Sequence, residues 1–287
     1  MKHNGISFAL LILGAAVTTA SAQNQVVYNS IPKTLAGNVG SEGPEAYAFA
    51  ELGDGLNLAA TSGTLNQVTV VMSSWGCQTG NWYSGNCVTA PGTTFAQTIT
   101  VNVYAVSTAG VPAPSTLLAT ATDTFNIPYR PSSTPGLCGG DTSRYYSSKD
   151  KTCYHGVATQ IYFELANQHA DIPANSKVIL TVAYNTSHYG PSPVGESPAC
   201  YSTSAGCPYD SLNIGTDGDG PAGLLGGVGS VLDTNSIFVN YTSSATACSG
   251  NTVTGALAID NGCWTGYHPL IEVRANVKNP KAKGLDK

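Results

Sequence analysis

The sequence predicts an all-β fold, an antiparallel β-sandwich of jelly-roll type, on three observations. Apolar and polar residues alternate with a period of two along many short segments, which is the pattern of half-buried strands. Beyond residue 22, the sequence carries no sustained apolar stripe with the helical period of about 3.6 residues. The chain also contains 32 glycines and 16 prolines, which interrupt nearly every long segment. Short strands separated by turns are typical of two-sheet sandwiches.

The first element is a predicted signal peptide, residues 1–22. A basic start precedes the apolar run 6–17, and Ala20 and Ala22 stand at the positions that a signal peptidase reads before Gln23. The run holds about a dozen residues, short of the ~20 that a membrane-spanning helix needs. We therefore expect an exported protein that begins near Gln23 and inserts no segment into a membrane after processing.

The strand pattern follows in eleven segments. It is clearest in residues 68–72, 98–104, 158–163, 178–184, 236–241 and 270–277. It is shorter in residues 26–28, 47–52, 56–60, 117–125 and 212–214. We expect one domain over residues 23–277, because either side of the Pro- and Gly-rich segment 128–140 has too few strands for its own core. Residues 278–287 carry four lysines and no apolar pattern, which predicts a disordered tail.

Eight cysteines lie in the exported part, an even number that is typical of disulfide-bonded secreted proteins. They fall into four close couples along the chain. The spacing predicts the bonds Cys77–Cys87, Cys138–Cys153, Cys200–Cys207 and Cys248–Cys263. Zinc binding by thiolates is disfavoured, because no Cys-x2-Cys spacing occurs and thiols oxidise in this compartment.

Charge and composition exclude several classes of partner. Only 10% of the residues are charged, and the formal net charge is −5. A chain without a basic excess cannot neutralise many phosphates, so nucleic acid is excluded as a partner. The apolar content of 42% also excludes a disordered chain. The composition does not indicate an oligomeric state.

Catalytic motifs are lacking: the sequence has no Gly-x-Ser-x-Gly elbow, no His-Glu-x-x-His and no phosphate-binding loop. No catalytic residue is therefore predicted. As an alternative, Glu164 and Glu272 would be the acid pair of a jelly-roll glycoside hydrolase or lyase if they faced each other across a cleft. The alternating pattern equally places both on the solvent side of their strands. Beyond the predicted signal peptide, four histidines stand singly in polar or turn-like contexts typical of loops: His155, His169, His188 and His268.

The sequence predicts no cofactor. The alternative is a calcium ion bound at one loop. Asp210, Asp217 and Asp219 provide closely spaced oxygen ligands, and calcium accepts such oxygens. The EF-hand spacing and its closing Glu are missing, and Asp-Gly pairs also form ordinary turns.

The aromatic inventory is rich in polar-tipped rings, with 15 tyrosines and three tryptophans against six phenylalanines. Many of these rings lie in or beside the predicted cystine loops. Such rings stack on sugar faces while their polar tips form hydrogen bonds. We therefore predict a ligand surface at Trp82, Tyr83, Tyr145 and Tyr146. The alternative is that the rings form small cores of the loops themselves.

Four strings carry a resemblance to a known group: Ser-Ser-Trp-Gly-Cys at 73–77, Phe-Asn-Ile-Pro-Tyr-Arg-Pro at 125–131, Tyr-Asp-Ser-Leu-Asn at 209–213 and Cys-Trp-Thr-Gly-Tyr-His-Pro at 263–269. They resemble those of a group of uncharacterised secreted bacterial proteins, over nearly the whole exported chain. That group is similar to β-sandwich ectodomains of cell-surface-anchored proteins. The resemblance implies secretion and a sandwich fold but no activity. The Lys-rich end lacks a sorting motif, which favours release over attachment.

The sequence favours a secreted, non-catalytic sandwich that recognises an extracellular glycan or cell-envelope polymer, or that serves as a surface or matrix component. The alternatives are a carbohydrate-active enzyme and a calcium-stabilised adhesion module. Two glycosylation sequons begin at Asn185 and Asn240, and they matter only in a eukaryotic host.

Overall fold

The computed structural model describes most of the exported chain. The described residues are 23–59, 62–80, 82–83, 85–107, 111–173, 175–184, 212–218, 227–242, 247–248 and 253–277. Several predicted features lie outside them: the signal peptide 1–22, the tail 278–287, the Cys200–Cys207 pair, Asp210, Asp219 and the sequon at Asn185.

The described chain is nearly all β. In chain order the strands are β1 (Gln23–Asn29), β2 (Gly40–Glu42), β3 (Phe49–Asn57), β4 (Gly63–Ser74), β5 (Thr94–Val106), β6 (Pro114–Pro128), β7 (Tyr145–Ser147), β8 (Thr152–Tyr154), β9 (Val157–Glu164), β10 (Asp171–Ile172), β11 (Lys177–Ala183), β12 (Leu212–Thr216), β13 (Ser230–Val231), β14 (Ser236–Tyr241), β15 (Ala258–Asn261) and β16 (Ile271–Val277). One short helix, α1 (Pro44–Tyr47), and one 3-10 turn (Ala166–Gln168) interrupt them.

Two antiparallel sheets form the body of the molecule. The first has the order β1-β16-β4-β12-β2, with β9 and β10 on the other edge of β4. The second has the order β15-β14-β3-β11-β5-β6, with β13 on β3. The first and last strands of the described residues, β1 and β16, are therefore neighbours.

A single main core lies between the sheets. Val68 and Val70 of the first sheet pack in it with Leu52 and Ile99 of the second, and all four are fully buried. The predicted all-β sandwich is confirmed, and its jelly-roll connectivity stays a prediction.

Strand β3 differs from the sequence prediction, because Phe49–Asn57 is one continuous strand that joins parts of the two predicted segments, 47–52 and 56–60. The glycines between them resemble a turn, but they serve close packing. A Cβ on Gly53 would lie 2.0 Å from Leu180 O on the neighbouring β11, so only glycine fits there. Asp54 is thereby carried inside a central strand.

Three of the predicted disulfide bonds are confirmed: Cys77–Cys87, Cys138–Cys153 and Cys248–Cys263. Bonds of this kind are typical of an oxidising, extracellular environment. Residues 77–87 are named the first cystine loop, and residues 138–153 the second. Among the described residues, no helix has the length and apolar character needed to cross a bilayer.

The second cystine loop gives a stability prediction. Replacing both Cys138 and Cys153 with serine should lower the free energy of unfolding by about 3 kcal/mol, because the unfolded chain regains the entropy of an open loop. Urea unfolding followed by circular dichroism measures the loss. The exposed Ser148 lies in the same loop, and Ser148→Ala should leave the urea midpoint unchanged. A serine pair as stable as the wild type would contradict the prediction.

Candidate functional site

The two cystine loops meet beside the segment that follows β6. Arg130 N donates to Gly76 O at 2.8 Å, which ties this segment to the start of the first loop. Gly85 of the first loop lies so close to the second loop that a Cβ there would be 2.7 Å from Thr142 Cβ. The loops therefore form one surface, and each is closed by its own disulfide.

Arg130 holds the second loop from inside. Its side chain is fully buried, Nη1 donates to Ser143 O at 2.7 Å and Nε donates to Pro131 O at 3.2 Å. The guanidinium lies 5.6 Å from the centroid of the Tyr145 ring. Burial raises the pKa of Tyr145 to about 12, so this ring stays neutral beneath the loop. The contacts make Arg130 and Tyr145 a structural support of the surface.

Four rings pack into one group, here named the ring cluster: Trp75, Trp82, Tyr83 and His155. The His155 ring stacks on Trp75 with centroids 5.3 Å apart, and Trp82 meets Trp75 edge-on at 4.7 Å. Tyr83 packs on Trp82 at 5.8 Å and is 41% exposed. Edge-to-face and stacked pairs are favourable, so the cluster presents rings in fixed orientations.

A charged pair borders the ring cluster. Arg144 Nε donates to His155 Nε2 at 3.1 Å and lies 3.1 Å from Asp141 Oδ2. Because Nε2 accepts this bond, the imidazole proton is on Nδ1, which faces Ser143 O at 3.3 Å. Burial lowers the pKa of His155, and the charge of Arg144 lowers it further, which favours the neutral ring. Aromatic faces and charged hydrogen-bonding groups thus lie side by side.

Of the four predicted ligand residues, two belong to the ring cluster and two do not. Trp82 and Tyr83 belong to the ring cluster. Tyr145 is only 5% exposed, and the half-buried Tyr146 uses its backbone N–H on Thr134 Oγ1. For Tyr145 the alternative of a small loop core is therefore the better description.

Trp75 and His155 were not among the predicted ligand residues. Each lies two residues from a cysteine that closes a loop, Cys77 and Cys153 respectively. That proximity is the sequence signal that could have identified them, because a disulfide restrains the residues next to its cysteines and so holds them at the surface that the loop forms.

Glu164 and Glu272, the carboxylates of the enzyme alternative, lie on the outer face of the first sheet. Glu272 is opposite Thr69 of β4, and Glu164 is opposite Gln67 on the other side of β4. Two strand spacings and a two-residue offset put their Cα atoms about 12 Å apart. They share one face and do not oppose each other across a cleft. The two carboxylates also bond to different partners, Gln67 and Arg274, so the structure does not show them as a facing acid pair.

Glu42 and the pair formed by Asp54 and His268 are buried ionisable groups. Burial raises the pKa of Glu42 to about 7, and its side chain is only 2% exposed. His268 Nδ1 lies 2.7 Å from Asp54 Oδ2, and Nε2 lies 3.1 Å from the carbonyl oxygen of Thr234. Since both partners accept, both ring nitrogens carry protons and His268 is an imidazolium. It has no free lone pair with which to act as a base.

Of the predicted calcium ligands, only Asp217 lies within the described residues. Its Oδ1 accepts a hydrogen bond from His268 N at 3.0 Å, and burial raises its pKa to about 6. In the part of the chain that the structure describes, no group of three or more His, Cys, Asp or Glu side chains is arranged to hold a metal ion.

A cavity of about 700 Å³ lies elsewhere, near the ends of β5, β6 and β11. Its walls include Val106, Leu118, Ile172 and Val178. Asp171 and Lys177 also line the cavity, so its walls are mixed in polarity.

Comparison with protein-family models, curated proteins and solved structures finds no match to this chain. The resemblance to secreted bacterial proteins therefore stays a prediction.

Proposed function

We propose that the protein is a secreted, non-catalytic β-sandwich that recognises an extracellular glycan or cell-envelope polymer through the ring cluster. The observation that carries the proposal is the exposed Tyr83, held on Trp82 and Trp75 by two disulfide-closed loops. A sugar ring stacks its C–H face on an aromatic face, and the rigid loops have already lost the conformational freedom that binding would remove.

The neighbouring charges support the same ligand class. Arg144 and Asp141 are 45% and 36% exposed at their side chains and provide donors and acceptors beside the rings. Sugar hydroxyls both donate and accept, so they are matched by such a mixed pair. A surface with both charges also does not select strongly for an anionic or a cationic polymer.

The experiment is a binding screen of the oxidised mature protein against soluble and insoluble polysaccharides, with calcium and with chelator. We expect saturable binding without product release, and Tyr83→Ala should weaken it about tenfold, the factor that 1.4 kcal/mol of lost ring contact corresponds to. Leu117→Ala is the control, because Leu117 is 47% exposed on β6 of the other sheet and should not affect binding.

The outcomes separate the alternatives. Product release would favour the carbohydrate-active enzyme, and binding that chelator abolishes would favour the calcium-stabilised module. Absence of binding to every polymer would contradict the proposal and favour a surface or matrix component. Binding that Tyr83→Ala leaves intact would show that the ring cluster is not the site.

A further inference from the structure

The outer face of the first sheet carries a second polar surface, distinct from the ring cluster. Along β4 the side chains alternate, so Val68 and Val70 enter the core while Gln67 and Thr69 lie on the opposite face. A groove of about 450 Å³ runs over this face. That volume is within the roughly 300–1,000 Å³ of small-ligand sites.

Strand register aligns the groove side chains in two rows. In the first row, Asn29, Glu272, Thr69 and Tyr162 are successive cross-strand partners on β1, β16, β4 and β9. In the second row, Arg274, Gln67 and Glu164 are partners in the same way. The sheet groove is defined as the floor residues Gln67, Thr69, Gln160, Tyr162, Glu272 and Arg274, with Lys33 on its wall.

The floor side chains hold one another in place. Tyr162 Oη donates to Gln160 Oε1 at 2.8 Å, and Arg274 Nε donates to Glu272 Oε1 at 2.7 Å. Gln67 Nε2 donates to Glu164 Oε1 at 2.7 Å. Side chains fixed by such neighbours form a site that needs little reordering when a ligand arrives.

Hydrogen-bonding capacity remains in the sheet groove after these contacts. Among the described residues, the Nη groups of Arg274, the amide nitrogen of Gln160 and the amide oxygen of Gln67 make no hydrogen bond. From β16 through β4 to β9, the free groups are therefore a donor on Arg274, an acceptor on Gln67 and a donor on Gln160. Vicinal hydroxyls, which donate and accept, match this arrangement better than a ligand that only accepts.

Charge and ring exposure narrow the ligand class. Glu272 is paired with Arg274, whereas Glu164, which ends the second row beyond the groove lining, and Lys33 on the wall carry opposite charges. The two rows and the wall together therefore carry no net formal charge. The Tyr162 ring is 52% exposed and can stack on a sugar face. A polyanion or polycation gains little here, whereas a neutral saccharide can use both the ring and the amides.

From this arrangement we infer that the sheet groove is a second saccharide-binding site, which takes a neutral, linear oligosaccharide across β16, β4 and β9. The inference rests on the proposed function for its ligand class.

The sheet groove and the ring cluster lie apart along β4. Six residues of strand separate Thr69 from Trp75, about 20 Å. Between them, Ile31 and Leu270 pack over Val71, so the two sites are separate.

Two sites on one molecule would increase its affinity for a polymer. A chain of repeating units that reaches both sites binds the second one from a high effective concentration. Long polysaccharides are therefore expected to bind more tightly than short oligosaccharides of the same sugar.

The test is isothermal titration calorimetry of the full oxidised protein with neutral hexasaccharides: cellohexaose, xylohexaose, mannohexaose, laminarihexaose and chitohexaose. We expect one of them to bind with two molecules per protein. Tyr162→Ala and Tyr83→Ala should each weaken one of the two sites about tenfold, so that a titration at the wild-type concentrations counts one strong site, and the double variant should show none. Thr122→Ala, on β6 of the other sheet, is the control and should keep both.

The two single variants distinguish a failure of the sheet groove from a failure of the ring cluster. A stoichiometry that Tyr162→Ala leaves unchanged would overturn the sheet groove while the ring cluster stands. A loss with Tyr162→Ala but none with Tyr83→Ala would support the groove and overturn the ring cluster. No binding of any hexasaccharide by the wild type would overturn both. Tyr162 is exposed, so the melting temperature of Tyr162→Ala should equal that of the wild type.

Discussion

His268→Ala is expected to lower the free energy of unfolding by about 3–5 kcal/mol, because it removes one partner of a buried ion pair. The side chains of His268 and Asp54 are each 2% exposed and lie 2.7 Å apart. Without the imidazolium, the Asp54 carboxylate keeps a hydrogen bond from Gly55 N but loses its counter-charge in a dry interior. Urea unfolding at pH 6.5, followed by far-ultraviolet circular dichroism, measures the loss.

A double variant is the matched control for this pair. Asp54→Asn with His268→Gln removes both charges and keeps side chains of similar size that can still form hydrogen bonds. We expect it to be more stable than His268→Ala, since no uncompensated charge remains in the core. A His268→Ala protein with wild-type stability would show that the pair does not contribute to the stability of the fold.

The pair of Asp54 and His268 makes the protein less stable as the pH rises into the alkaline range. Burial lowers the pKa of His268, but the hydrogen bond and charge of Asp54 outweigh it and raise the pKa to about 9. The unfolded value is about 6.5. The stabilisation is therefore complete below pH 6.5 and is lost as the pH rises through about 9.

The expected loss between pH 6.5 and 9.5 is about 3 kcal/mol in the wild type, and His268→Gln should lack it. Three other ionisable groups lie near the pair, Tyr28, Asp217 and Asp233, and all remain in the variant. The difference between the two unfolding curves thus isolates His268. Equal pH profiles would contradict the assignment of the proton to this ring.

The fold could be predicted from local pattern because alternation and cysteine spacing are local signals. Strands such as β5, β9 and β16 bury one face, and the closely spaced Cys77 and Cys87 meet at the ends of a short loop. The two-residue strands β10 and β13 are too short to show a period. They form because a neighbouring strand offers free backbone groups.

The candidate sites could be predicted only in part, because they depend on contacts between distant residues. Asp54 and His268 are 214 positions apart, and Gly-Asp-Gly around Asp54 reads locally as a turn. Likewise, the position of Tyr162 across β4 from Glu272 follows from the order of β9, β4 and β16, which alternation does not determine. Trp82 and Tyr83 were identifiable because polar-tipped aromatics within a short cystine loop have little local core in which to be buried.

Asp260→Ala is expected to cost about 3–5 kcal/mol, since three buried donors would lose one shared acceptor. Asp260 is fully buried on β15. Its Oδ2 accepts from Tyr241 Oη at 2.6 Å, Cys248 N at 2.9 Å and Trp264 Nε1 at 3.0 Å. The carboxylate thus joins β14, β15 and both ends of the Cys248–Cys263 segment.

Two readouts test this role of Asp260. Urea unfolding gives the stability, and Asp260→Asn should lose less than Asp260→Ala because its amide oxygen still accepts. The second readout is an alkaline titration followed by phenolate absorbance. Burial raises the pKa of Tyr241 above its usual range, and the hydrogen bond to Asp260 raises it further. Loss of the carboxylate should therefore let Tyr241 ionise at lower pH. An unchanged titration together with unchanged stability would mean that the three donors find other acceptors, and the segment closed by Cys248–Cys263 would then be held by its disulfide alone.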